Sequence, residues 1–217
     1  AQEQLGSYER TLESLTSPTA VAMDEKGDLI AIANPLEGGV LIQRIERPVN
    51  LEVNPDGSIN AIPLTDPRLN RYPVRKRKQH PTGLAFSPYG RLWITDSDTN
   101  KLWSHSTETG GIEPYFGNAV HQLLHQPGAI DASTRSLAIV EPMLHQVLLF
   151  EHPRHEGRET RFVLRARVGE RGAEPGELLF PSDVAIAQDE RVYVCDRGNH
   201  RIQVYAPDGE FVFGWGD

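Results

Sequence analysis

The sequence predicts an all-β chain, a β-propeller of four-stranded antiparallel blades. Three observations carry that expectation. A proline-led strand start recurs four times. A polar residue closes the following strand about fifteen residues later in each copy, the periodic layout of a repeat array. The runs between are short and alternating, with no long helical period.

The last copy is the most regular. It runs Phe180-Pro181-Ser182-Asp183-Val184-Ala185-Ile186, then Arg191-Val192-Tyr193-Val194-Cys195-Asp196, then Asn199-His200-Arg201-Ile202-Gln203-Val204-Tyr205, and closes on Phe211-Val212-Phe213-Gly214. Alternation of apolar and polar residues makes these four short strands. Asp208-Gly209 supplies a tight hairpin before the fourth.

The other copies start at Pro18, Pro81 and Pro127, where a strand's first residue needs no ladder donor. The polar strand ends are Asn34, Asp96, Glu141 and Asp196. Third strands follow as Val40 to Gln43, Lys101 to Trp103, Gln146 to Phe150 and Arg201 to Tyr205. Fourth strands are expected at Ser58 to Leu64, Gly111 to Phe116, Arg161 to Arg167 and Glu210 to Trp215. The blades then span 17–64, 80–117, 126–167 and 180–216 of a single domain, with a basic loop expansion at 65–79. Tyr8 to Leu15 reads as a further strand. A lone blade leaves both sheet faces wet, whereas blades packed around an axis cover them.

Residues 169–216 resemble an NHL repeat, through Gly169-Glu170-Arg171-Gly172, Phe180-Pro181 and Asp196-Arg197-Gly198-Asn199-His200-Arg201-Ile202-Gln203-Val204. Pro81-Thr82-Gly83-Leu84-Ala85-Phe86 and Leu92-Trp93-Ile94-Thr95-Asp96 resemble it well, and the other two copies in outline. The resemblance implies a propeller that usually has about six blades, within the usual range. Four are visible here, so the chain is part of a larger propeller, closes with fewer blades, or pairs with another copy.

Composition limits the function classes. The 217 residues carry a formal net charge of −8, which opposes a general role on nucleic acid. That charge also argues against the RNA binding found in some eukaryotic NHL proteins. No apolar run approaches the roughly 20 residues of a membrane span. Cys195 is the single cysteine, so an intrachain disulfide and a cysteine metal cage are excluded. Placed in an apolar strand, it reads as a small buried hydrophobe. The start Ala1-Gln2-Glu3-Gln4 is what a cleaved signal peptide or a trimmed terminus leaves, and the reading leans to a secreted or periplasmic chain over a cytoplasmic one.

Propeller topology brings strand-A starts and strand-B ends to one face. Asn34, Asp96, Glu141 and Asp196 are expected there, with His80, His121, His125, His145 and His200. The expansion bearing Arg68, Arg71, Arg75, Lys76, Arg77 and Lys78 is expected to enter the same face. Each feature has a plain reading: strand-end Asp and Asn commonly satisfy turn amides, and charge runs are commonly solvated loops.

The chemical reading is that carboxylates and imidazoles from several blades hold calcium or zinc, with Asp96, Asp196, His125 and His145 as candidate ligands. A relative of this architecture, the peptidyl-hydroxyglycine amidating lyase, holds metal with inner-strand histidines; strand A here carries none. No Gly-rich phosphate loop or nucleophile elbow is present. The leading expectation is a non-catalytic binding or scaffold propeller for a protein, peptide or glycan. The alternative is a metal-dependent lyase or lactonase-like enzyme with its site at the channel mouth.

Overall fold

The computed structural model describes residues 17–34, 39–44, 51–53, 59–61, 70–73, 80–106, 112–114, 122–152 and 162–216. They form four four-stranded antiparallel sheets in sequence, plus one two-stranded hairpin. The first blade orders β1 (Ala20–Met23), β2 (Leu29–Asn34), β3 (Gly39–Arg44) and β6 (Asn70–Pro73). Hairpin strands β4 (Leu51–Val53) and β5 (Ile59–Ala61) pair only with each other. The second blade is β7 (Pro81–Ser87), β8 (Arg91–Asp96), β9 (Lys101–Ser106) and β10 (Ile112–Pro114). The third is β11 (Ile130–Ala132), β12 (Ser136–Glu141), β13 (Gln146–Glu151) and β14 (Leu164–Val168). The fourth is β15 (Asp183–Ile186), β16 (Val192–Asp196), β17 (Arg201–Tyr205) and β18 (Phe211–Gly216).

The propeller expectation holds, with one correction. The outer strand of the first blade is not Ser58 to Leu64. Ile59–Ala61 folds back onto Leu51–Val53, and Asn70–Pro73 takes the place beside β3, pairing Tyr72 with Val40. Arg71 therefore stands in a strand, opposite Leu41, inside the segment expected to be loop. In the sequence Asp56-Gly57 is a hairpin signal between these two strands, and short-range closure favours their pairing. Tyr8 to Leu15, His121, Arg68 and the run Arg75 to Lys78 lie outside the described residues.

Strand alternation gives every blade two apolar faces, and the cores lie between blades. Ala31, Ala33, Val40 and Ile42 of the first blade meet Leu84, Phe86, Leu92 and Ile94 of the second. Ala85, Trp93 and Leu102 on the second blade's other face meet Ile130, Leu137, Ile139, Leu148 and Phe150 of the third. Ala138, Val140, Val147, Leu149 and Val168 then meet Val184, Val192, Val194 and Tyr205 of the fourth. Trp93 is fully buried and donates from Nε1 to His152 Nε2 at 3.3 Å, so its one polar atom is not stranded in the core. Burial of such a side chain contributes about 1.5–3 kcal/mol.

Polar bonds fix the blades edge to edge. Thr19 Oγ1 donates to the Pro81 carbonyl at 3.0 Å, and Thr82 Oγ1 to the Pro127 carbonyl at 2.7 Å. Thr95 Oγ1 donates to the Gly128 carbonyl at 2.6 Å. Asp131 Oδ2 receives the Ile186 amide at 2.7 Å, and burial raises the pKa of this carboxyl.

Candidate functional site

Pairing of Pro81 with Asp96, and of Asp183 with Cys195, places strand-A starts and strand-B ends at the same end of each sheet. The connectors into each blade and the turns after each second strand build that face.

The strand-end acids are buried and engaged. Asp96, 2% exposed, folds over its own turn: Oδ1 accepts the amides of Asp98 at 3.1 Å and Thr99 at 2.9 Å. Glu141 is fully buried and accepts the His125 amide at both oxygens, 2.9 and 3.1 Å. Burial pushes its pKa from 4.5 up to about 7, with the His125 amide and the Arg167 charge acting in the opposite direction. Asp196 is also fully buried. Its Oδ1 accepts the Leu179 amide at 2.7 Å; Oδ2 accepts Asn199 Nδ2 at 2.8 Å, Arg201 Nε at 2.8 Å and Gln203 Nε2 at 3.3 Å. Arg201 continues to the carbonyls of Ala173, Glu174 and Glu177.

Glu141 and Asp196 perform one task in successive blades. His125 and Leu179 each stand two residues before the strand-A proline, and each gives its amide to the acid ending strand B of the same blade. The next residue, Gln126 or Phe180, then enters the left-handed region at φ 58° or 48°. Neither is glycine, so the surrounding bonds must hold a conformation that L-residues rarely adopt.

A second repeated bond crosses between blades. Asn100 (φ 54°), His145 (φ 55°) and His200 (φ 53°) occupy the same left-handed position after the second strand. Asn100 Oδ1 accepts the Gln126 amide at 2.7 Å, and His145 Nδ1 accepts the Phe180 amide at 3.0 Å. Each acceptor thus reaches the residue just before the next blade's proline. In this bond the His145 Nδ1 lone pair is the acceptor, as the Asn100 amide oxygen is in the preceding blade.

The candidates are therefore not gathered into one cluster. Asn34 ends β2, opposite Gly39. His80 is half-buried beside Ser97, with Nδ1 3.4 Å from Ser97 Oγ. His125 is exposed, its Nδ1 3.1 Å from the Leu123 carbonyl. His145 is buried against the Phe180 ring at 4.6 Å. Among the described residues, no three His, Cys, Asp or Glu side chains stand close enough to hold a metal ion together.

The same loops expose apolar side chains that sequence reasoning missed. Met143 and Leu144, in the 3-10 turn after β12, are 58% and 42% exposed. Phe180, against His145, is 38% exposed. A signal was available: Pro142-Met143-Leu144 fills the turn that Arg197-Gly198-Asn199 fills in the next blade.

Comparison with known proteins agrees with this architecture. The NHL repeat family model matches residues 178–205. Protein brain tumor of Drosophila melanogaster is 31% identical over 65 residues, 30% of this chain and 6% of that protein. RING finger protein nhl-1 of Caenorhabditis elegans is 33% identical over 112 residues, 48% of this chain and 11% of that protein. NHL repeat-containing protein 3 of Homo sapiens is 44% identical over 48 residues, 22% of this chain and 14% of that protein. The chain thus spans only a small part of these relatives. Among solved structures, a catalytically inactive virginiamycin B lyase from Staphylococcus aureus with quinupristin aligns at TM-score 0.57 and 14% identity, over 94% of this chain and 56% of that one. A putative 6-phosphogluconolactonase from Bacteroides uniformis aligns at 0.56 and 14%, over 90% and 52%. At such identities these likenesses establish the β-propeller fold alone.

Proposed function

We propose that this chain, an NHL-repeat β-propeller, is a non-catalytic binding module that presents the strand-A-start face to a protein or peptide partner. One contrast carries the reading: on that face the carboxylates are buried in backbone bonds, while Met143, Leu144 and Phe180 are left in water. An exposed, unbranched thioether suits an apolar anchor from a partner, because methionine adapts its shape at little cost. Exposed His125 and Arg197 supply a polar rim. The basic run Arg75-Lys76-Arg77-Lys78 extends the proposal to partners with acidic surfaces, peptide or glycan, whose approach a local positive patch would steer.

One observation favours the enzymatic alternative, a lyase or lactonase. Glu141, with a pKa near 7, could exchange a proton at neutral pH. Its oxygens already receive the His125 amide, so catalysis would require the connector to move.

Selection of displayed peptides on the immobilised chain tests the proposal. Peptides with an aromatic or aliphatic anchor should be enriched and should lose at least tenfold in affinity on Met143→Glu/Leu144→Glu. Equal affinity for both proteins would remove the patch from the site.

A further inference from the structure

One side chain ties together the two loops that expose Met143, Leu144 and Phe180. His145 closes the 3-10 turn Pro142–Leu144, which carries Met143 and Leu144. Its Nδ1 accepts the Phe180 amide at 3.0 Å, and its ring meets the Phe180 ring edge-on at 4.6 Å. Both residues hold the left-handed backbone that L-residues rarely adopt, His145 at φ 55° and Phe180 at φ 48°. The preceding amide, that of Leu179, goes to Asp196. Consecutive amides of this connector are thus held by two different blades, the third through His145 and the fourth through Asp196.

The preceding junction makes the same bond without a titratable group. Asn100, at φ 54°, accepts the Gln126 amide at 2.7 Å through Oδ1. An amide oxygen carries lone pairs at any ordinary pH, whereas an imidazolium is a donor at both nitrogens. A proton on His145 Nδ1 therefore takes the lone pair that receives the Phe180 amide and sets two N–H groups against each other. His145 is only 8% exposed, so water has little access to replace the lost acceptor. Phe180 then loses the bond that fixes its strained backbone.

The charged groups on the elements around His145 are few. The turn itself carries none. Ahead of it stands Glu141, engaged with the His125 amide, and on β14 Arg167, whose charge acts on Glu141. Gly169, which abuts the His145 carbonyl, is followed by exposed Glu170 and Arg171. The fourth blade contributes exposed Asp183 and Arg197 and the buried pair of Asp196 with Arg201. Glu141, with a pKa near 7, changes charge in the same range as imidazole does, so a test has to separate the two.

On the binding reading given above, we infer that His145 makes capture at this face pH-dependent. With Nδ1 unprotonated it ties Phe180 to the end of the turn bearing Met143 and Leu144, and a partner's apolar anchor is held. Protonated, it releases Phe180, and the anchor is lost.

Calorimetry on the full chain with one selected peptide lacking Asp, Glu and His, at about pH 7.5 and about pH 5, tests this across the range in which imidazole takes up its proton. The quantity read is the ratio of the two affinities within each protein. The parent should weaken about tenfold on acidification, the scale of a one-unit difference in proton affinity between free and bound protein. His145→Asn places here the acceptor that Asn100 supplies at the preceding junction, in a residue that tolerates the left-handed backbone, and should show no such loss. Glu141→Gln should keep the parent's loss. By NMR, the Phe180 amide should shift with pH in the parent, at the midpoint of the affinity loss, and stay in place in His145→Asn. Equal ratios for the parent and His145→Asn, a loss abolished by Glu141→Gln, or a Phe180 amide that ignores pH while affinity falls would overturn the inference. Peptide binding that is pH-independent yet weakened by Met143→Glu/Leu144→Glu would overturn the role of His145 and leave the contact standing. Absence of peptide binding at either pH would overturn the contact and this role with it.

Discussion

Asp196→Ala is the perturbation whose size the structure sets most closely. The carboxylate is fully buried and receives four donors, from Leu179, Asn199, Arg201 and Gln203. Alanine leaves the Leu179 amide and Asn199 Nδ2 without this acceptor and removes the counter-charge beside Arg201. An orphaned buried donor costs about 1–3 kcal/mol, and breaking a buried ion pair about 3–5 kcal/mol. These overlap, and Arg201 and Asn199 keep carbonyl partners, so the net loss should be about 3–5 kcal/mol. For a chain of this size that is a fall in Tm of roughly 6–20 °C. Asp196→Asn keeps an oxygen for the Leu179 amide but turns an NH2 toward Asn199 Nδ2, Arg201 Nε and Gln203 Nε2, so it should lose about as much. Urea unfolding of the three proteins, with scanning calorimetry, is the assay. A loss below about 1 kcal/mol for Asp196→Ala would refute the reasoning, since a cost that small is typical of substitutions away from buried networks.

Three further outcomes follow from individual contacts. Glu141 is protonated in the folded chain at pH values where the unfolded chain has already released its proton, so stability should fall as pH rises from about 4.5 through about 7; Glu141→Gln should flatten that slope in urea titrations across the range. A Cβ on Gly83 would lie 2.6 Å from the Gly128 carbonyl and 2.8 Å from Thr95 Oγ1, so Gly83→Ala should destabilise by about 1–3 kcal/mol in calorimetry through the junction of the second and third blades. Replacing Arg75, Lys76, Arg77 and Lys78 together by Ser should leave Tm within about a degree, because charge runs in a sequence are commonly solvated and contribute little, while weakening capture of acidic peptides most at low salt.

The fold was legible because its repeat is local. A proline at the strand start and a polar residue at the second strand's end recur at nearly fixed spacing, and sheet alternation supplies the rest. The first blade's outer strand was misplaced because Ile59–Ala61 alternates as a strand should, although Asp56-Gly57 is a local hairpin signal toward Leu51–Val53 rather than Gly39–Arg44. The strand-end acids were legible as a set. Their partners were not, since Glu141 reaches back to His125 and Asp196 to Leu179 across whole strands. The histidines show the limit most plainly. His145 reads as a candidate metal ligand by residue type, yet its left-handed backbone and the distant Phe180 amide make it an acceptor between blades, as Asn100 is in the blade before.

The most direct test of the binding-module account measures one selected peptide by calorimetry against the parent chain, Met143→Glu/Leu144→Glu and Asp196→Asn, each with and without a chelator. The account predicts at least tenfold weaker binding for the patch variant, unchanged affinity for folded Asp196→Asn, and no effect of chelation. Loss of binding on chelation or in Asp196→Asn, with the patch variant unaffected, would contradict it and return the strand-end carboxylates to the centre of the site.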